Sequence, residues 1–192
     1  MILTKRLEWA IRVAADAHKQ QVRKATQTPY IIHPFSVMLL AQQTTNDEDT
    51  LIACLFHDIL EDVSEYYSET QMQKDFGDRV VEIVKGVTKD DSLSDWKERS
   101  DAYLAHLEHE ALNESIIVSI ADKTHNLLST LNDYELLGDG VWSKFNAGKD
   151  SQLWWYQSVA DIADKRMPEL SLIPLLREHI QRLEEIVRQP VT

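Results

Sequence analysis

The 192-residue sequence predicts an all-α fold, a single-domain helical bundle, on three observations. Apolar residues recur at three- and four-residue spacing along most of the chain. No stretch alternates apolar and polar residues as a half-buried strand would. Only five glycines and five prolines interrupt the pattern, and a chain of this size is expected to bury one compact core.

The elements follow in order. Leu3, Leu7, Ala10, Ile11, Ala14 and Ala17 share one side of a first helix. Pro34 opens a second, where a missing N–H costs nothing. A third runs over 47–63, with Thr45 and Glu48 as a capping box at its start. Ser68 and Gln71 suggest another box, and the helix they begin should stop at Gly77. Residues 78–85 form a short amphipathic segment closed by Gly86. Further helices are expected over 94–111, 113–131, 150–166 and 170–188. The last carries Leu175, Leu176, Ile180, Leu183, Ile186 and Val187 on one side.

Composition narrows the function. Apolar residues make up 43% and charged residues 27%, an ordinary globular balance. The longest apolar run, 51–56, is too short to span a membrane. The N-terminus carries charges throughout and has no signal-peptide core. Cys54 is the single cysteine, which excludes an internal disulfide and fits a reducing, cytoplasmic setting. A formal net charge of -12 argues against a nucleic-acid partner, whose affinity comes largely from basic surface. It leaves room for a small anionic substrate, for which only the local field matters. Association into a homo-oligomer is left open.

The helix over 47–63 carries the chemistry. Apolar residues surround it almost completely, as in a buried helix. Near its end stand His57, Asp58, Glu61 and Asp62. At about 100° per residue, and with His57 as origin, Asp58 lies near 100°, Glu61 near 40° and Asp62 near 140°, all on one arc. Three carboxylates buried together demand a cation. In 113–131, Ser115, Ser119, Asp122 and Asn126 form a stripe of small polar groups opposite an apolar face, which suggests an interior polar site. His33, in PYIIHP, stands at or just before a helix start. Imidazole and carboxylate donors suit a divalent ion such as manganese, iron or zinc. Arg23, Lys24 and Lys149 are candidates to offset the charge of a small anionic substrate.

Four segments make a specific resemblance: RKATQTPYIIHP (23–34), DEDTLIACLFHDILEDV (47–63), FGDRVVEIVKGVTK (76–89) and ADKTHNLLSTL (121–131). Together the chain resembles the HD-domain hydrolases of the stringent response, namely the hydrolase half of Rel/Spo-type enzymes and the stand-alone small alarmone hydrolases. The likeness to the long enzymes fades beyond Leu131. There WSKFNAGKDSQLWWYQSV (142–159) is similar to small single-domain bacterial HD proteins. The resemblance implies an HD-type bundle over 1–192 and one divalent metal, typically manganese, held by His33, His57, Asp58 and Asp122. It implies that Glu61 and Asp62 activate or orient water, and that Arg23, Lys24, Thr26 and Asn126 contact substrate. The implied reaction is removal of the 3′-pyrophosphate from guanosine tetraphosphate or pentaphosphate. With 192 residues, synthetase and regulatory domains are not expected. Two departures stand out: the Arg23–His33 spacing is one residue longer than the common RKSGEPYIIHP pattern, and Thr26 stands where Ser is usual.

Competing readings are an HD phosphatase or pyrophosphatase acting on another nucleotide, such as NADPH, and a catalytically silent HD module that binds a nucleotide. Plainer roles are expected elsewhere. His18, His106, His109, His125 and His179 are read as surface or structural. The aromatic cluster Trp142, Phe145, Trp154, Trp155 and Tyr156 is read as core. Lys149 is equally explained as a solvated lysine.

Overall fold

The computed structural model describes residues 3–23, 27–90, 92–145 and 147–188. Its helices are α1 (Lys5–Ala17), α2 (Ile32–Ala41), α3 (Glu48–Phe56), α4 (Ile59–Asp62), α5 (Glu69–Phe76), α6 (Asp78–Lys85), α7 (Trp96–His109), α8 (Asn113–Leu137), α9 (Lys149–Arg166) and α10 (Ile173–Arg188). A 3₁₀ segment, Gly138–Lys144, joins α8 to the chain before α9. Among the described residues there is no strand, only an isolated bridge between Val22 and Pro29. The all-α expectation is met.

Helix α3 lies at the centre, packed by α1, α2, α6 and α8. Every residue of it from Thr50 onward is buried. Leu51, Ile52, Leu55 and Phe56 each contribute about 1.5–3 kcal/mol by leaving water. Helix α8 is the second axis and packs on α2, α3, α9 and α10. The site hangs between these two rigid rods.

Local signals explain most helix ends. Ser68 caps α5 by accepting from the Gln71 N–H at 3.3 Å, and Gly77, at φ +89°, ends it. Asp95 caps α7 by accepting from the N–H groups of Lys97 and Glu98. The cap of α3 differs from the expected box. Asp47 accepts from the Thr50 N–H at 3.0 Å, while Glu48 turns outward to Thr4 and Arg6. The competing ion pair with Arg6 draws the carboxylate away from the helix terminus.

Three boundaries also differ. Helix α2 begins at Ile32, so Pro34 is its third residue, still within the first turn where N–H groups lack helical partners. Helix α8 runs six residues past Leu131, because Tyr134 packs on Trp142 and Glu135 pairs with Arg182 of α10. The helix expected over 47–63 breaks: α3 stops at Phe56, His57 and Asp58 form a turn, and α4 restarts at Ile59. Asp58 sits at φ -95°, ψ -5°, in the sparsely populated bridge region where many active-site residues lie.

Gly86, the C-cap of α6, packs against Ser115 of α8. Ser115 Oγ donates to the Ile83 carbonyl, and a Cβ on Gly86 would lie 2.3 Å from that oxygen. Ser119 shares a hydrogen bond with the Tyr103 hydroxyl of α7. The polar stripe of α8 is therefore a packing seam at Ser115 and Ser119. It reaches the polar site only from Asp122 onward.

Candidate active site

The break after α3 positions the centre of the site. Consecutive residues on an unbroken helix diverge by about 100°; the turn lets His57 and Asp58 converge. His57 Nε2 lies 3.1 Å from Asp58 Oδ2. Helix α2 brings His33 Nε2 to 3.2 Å from His57 Nε2 and 3.4 Å from Asp58 Oδ2. Helix α8 brings Asp122 Oδ1 to 3.1 Å from His33 Nε2 and 3.6 Å from His57 Nε2. His33, His57 and Asp58 offer ligand atoms that all lie within 4.8 Å of one another, the spacing of a metal site. His33, His57 and Asp122 are buried.

The donors fit a metal ion. The Cys54 carbonyl, 2.9 Å from His57 Nδ1, can only accept, so Nδ1 carries a hydrogen and Nε2 is the nitrogen that offers a lone pair once its own proton leaves. His33 Nδ1 lies 2.8 Å from His125 Nδ1. Burial first, then His33 and Arg23, push His125 down to about 4, so its ring is neutral and accepts at Nδ1 in the tautomer that carries its hydrogen on Nε2. In that tautomer His33 donates from Nδ1 and can turn a lone pair inward from Nε2. Two lone pairs and two carboxylates facing one point call for a positive charge. Burial alone would favour neutral His57, but Asp58 and Asp122 outweigh it and hold its imidazolium well above the usual range. The same imidazoles, with Lys123 at Asp122, overcome burial and hold Asp58 and Asp122 well below the usual carboxylate range. A divalent cation satisfies the same demand with N and O donors of suitable hardness.

A surrounding layer fixes the donors, as such layers orient metal ligands. Tyr30 donates its hydroxyl to Asp58 Oδ2 at 2.6 Å. Lys123, buried beside Tyr103 and Trp155, donates to Asp122 Oδ2, and Asn126 donates to Asp122 Oδ1.

A cavity of about 770 Å³ opens over the cluster, within the range for small-molecule sites. Arg23, His33, Asp58, Glu61, Asp62 and Asn126 line it. Arg23 Nη2 lies 3.4 Å from Asn126 Oδ1, and its guanidinium stands over the Tyr30 ring. Glu61 is half-buried and accepts the Lys89 backbone N–H at Oε1. Burial, helped by Asp58, raises its carboxyl above the usual range despite that bond. Asp62 is more exposed, and burial with Asp58 raises it also. Lys149 opens α9 and is not among the residues lining this cavity. Lys24 and Thr26 lie outside the described residues.

Sequence reasoning passed over Tyr30, Lys89, Lys123 and His125. Two of these carried a usable signal: His125 stands three residues after Asp122 on α8, hence on the same face, and Tyr30 lies three before His33. Of the other histidines, His18 and His179 are buried, while His106 and His109 pair with surface glutamates. In the aromatic cluster, Trp155 and Tyr156 are core and Trp142 and Trp154 pack against it, while Phe145 and an edge of Tyr156 line the cavity.

Comparison with known proteins places these residues in a wider group. A family model for the HD domain matches residues 10–151, a span that includes every expected site residue. The chain is 35% identical over 128 residues to the bifunctional (p)ppGpp synthase/hydrolase SpoT of Escherichia coli, covering 64% of this chain and 18% of that protein. It is 35% identical over 120 residues to the guanosine-3′,5′-bis(diphosphate) 3′-pyrophosphohydrolase MESH1 of Danio rerio, covering 61% of this chain and 64% of the relative. The chain thus spans about a fifth of the long bacterial relative and under two thirds of the fish one. A solved structure of a metazoan SpoT ortholog described as hydrolysing ppGpp superposes with a TM-score of 0.78 at 25% identity, over 95% of this chain and 97% of that one. A crystal structure from Listeria monocytogenes gives a TM-score of 0.69 at 27% identity, over 82% and 99%. The matched span, the helical architecture and the histidine–aspartate cluster agree: the chain belongs to the HD-domain family.

Proposed function

We propose that the protein is a metal-dependent hydrolase that removes the 3′-pyrophosphate from guanosine tetraphosphate or pentaphosphate. The observation that carries this reading is the convergence of two buried imidazole nitrogens and two carboxylates at a nucleotide-sized cavity that also holds Glu61. The names borne by the relatives supply the substrate. His33, His57, Asp58 and Asp122 would hold a single divalent ion, with manganese favoured and iron or zinc compatible with the same donors. Such an ion supplies Lewis acidity toward a phosphoryl oxygen.

The chain's own residues do the rest. Glu61, with Oε1 held by the Lys89 N–H, takes a proton from the attacking water at its other oxygen. Its raised affinity for protons makes it a better base than an exposed glutamate. Asp62, linked to Gln21 at 3.4 Å, orients that water. The water oxygen joins the phosphorus, the bond from phosphorus to the ribose 3′-oxygen breaks, and that oxygen takes a proton from solvent while Glu61 returns its own to solvent. Arg23 and Asn126 hold the nucleotide in place.

The test is turnover by the manganese-loaded protein with guanosine tetraphosphate, NADPH and deoxynucleotides side by side. Guanosine diphosphate and pyrophosphate are the expected products, and Asp58→Ala should lose most of the activity. Orthophosphate from NADPH, with none of the expected products, would assign the site to another nucleotide. Tight nucleotide binding without turnover in several metals would make it a silent module.

A further inference from the structure

Only two cations stand among the described residues that line the cavity, Arg23 and Lys89, against the carboxylates of Asp58, Glu61, Asp62 and Asp133. Arg23 belongs to the wall formed by Tyr30 and Asn126. Lys89 belongs to a different chemical environment, beside Glu61 and two core rings behind the cavity. Its ammonium lies 4.9 Å from the centre of the Trp155 ring and 6.0 Å from that of Tyr103. Lys123 stands on the same two rings, but its ammonium is committed to Asp122. Among the described residues Lys89 is in no ion pair. Its main chain is nevertheless pinned: its N–H donates to Glu61 Oε1, and the preceding Thr88 hydroxyl donates to the Val84 carbonyl at 2.9 Å.

We infer that Lys89 is a substrate-binding residue whose ammonium receives the phosphoryl oxygens of the pyrophosphate group on the Glu61 side of the cavity. This rests on the phosphohydrolase reading above and assigns a residue to its anion. Three features argue for it. A protein of net charge -12 must concentrate positive potential locally to admit a polyphosphate. A cation already stripped of much of its water, resting on aromatic faces, binds an anion more strongly than a solvated one. The bond from its own backbone to Glu61 ties the place where phosphate is held to the place where water loses its proton. The groups facing the ammonium agree. Burial first, then Lys123, with a smaller part from Arg99, brings Lys89 down to about 8, while Glu61 and Asp122 pull the other way. Such a group is charged at neutral pH and gains from an arriving anion.

Lys89→Met preserves the aliphatic stem on Trp155 and removes the charge; Lys89→Arg keeps the charge. Both are compared with the full-length wild-type protein, loaded with manganese, by calorimetric binding of inorganic pyrophosphate and by KM and kcat for guanosine tetraphosphate. Lys89→Met should weaken pyrophosphate binding and raise KM by about tenfold or more, the usual scale for one lost charge-assisted hydrogen bond. Lys89→Arg should recover most of the loss, and metal content should be unchanged in both. Should Lys89→Met fail to fold, Lys89→Gln replaces it. Pyrophosphate affinity and KM within twofold of wild type in a folded, charge-free variant would overturn the assignment, as would a wild-type protein that binds no pyrophosphate. Charge-dependent pyrophosphate binding without turnover of guanosine tetraphosphate would instead remove the substrate reading and leave Lys89 in place.

Discussion

His125 shows what a single side chain adds to the site. It lines the cavity, and its Nδ1 lies 2.8 Å from that of His33, which holds the His33 ring with Nε2 toward the cluster. His125→Phe keeps the ring and removes the acceptor. Manganese affinity should fall about 10- to 100-fold, as for other residues that orient a metal ligand, measurable by metal titration of the purified variant. Glu61 makes a second expectation. Its carboxyl is raised above its ordinary 4.5 by burial. The base form is therefore lost as pH falls through a value above the usual one, and the acid limb of kcat/KM should lie on that side of 4.5. Glu61→Gln should cost about 10²- to 10⁴-fold in kcat and abolish that limb. The candidate donors are legible in the sequence: His57 and Asp58 as charged residues on a buried helix, and His33 and Asp122 through the four segments that carry the family resemblance. Lys89 and Lys123 are not, since their meaning comes from rings far along the chain: Trp155 is supplied by α9, beyond any local pattern.

At the scale of the element, helix existence was readable and helix ends were less so. Caps such as Ser68 depend on atoms within three residues and appear in the sequence. The break at His57–Asp58 does not, because the apolar pattern continues through it and only convergence with His33 and Asp122 explains it. The extension of α8 likewise depends on partners in the 3₁₀ segment and α10. The α6–α8 seam offers a direct test. Gly86→Ala would place a methyl 2.3 Å from Ser115 Oγ and 2.8 Å from Ser115 Cβ, contacts that force the two helices apart. A loss of about 1–3 kcal/mol is expected from such overpacking, seen as a lower denaturation midpoint. Because Ser115 and Asp122 lie two turns apart on one helix, manganese affinity should fall as well.

For the whole molecule, a metal held as proposed would join α2, the α3–α4 turn and α8, whose donors His33 and Asp122 lie 89 residues apart in sequence. Binding it should stabilise the fold, by about 2.7 kcal/mol at a concentration 100-fold above Kd. The pH dependence has a definite sign. In the metal-free protein His57 holds its proton well above the ordinary range because Asp58 and Asp122 outweigh burial. Its contribution to stability is full below the ordinary value and is lost as pH rises through the raised one. The metal must displace that proton, so manganese binding should release about one proton and strengthen with pH. Calorimetry in buffers of different ionisation enthalpy reads this directly; an exchange of no protons would mean that His57 is not a ligand. Among the described residues no helix is long and apolar enough to cross a membrane.

The core indole behind the cavity has one further consequence. Trp155 lies with one ammonium 4.9 Å and another 5.6 Å from its indole, in a chain with five tryptophans. Indole emission depends on nearby charge, so any anion that neutralises this pair should change the colour and brightness of its light. With the other four tryptophans replaced by phenylalanine, the protein would carry its own optical gauge of an occupied cavity, readable without a label and on the timescale of a single turnover.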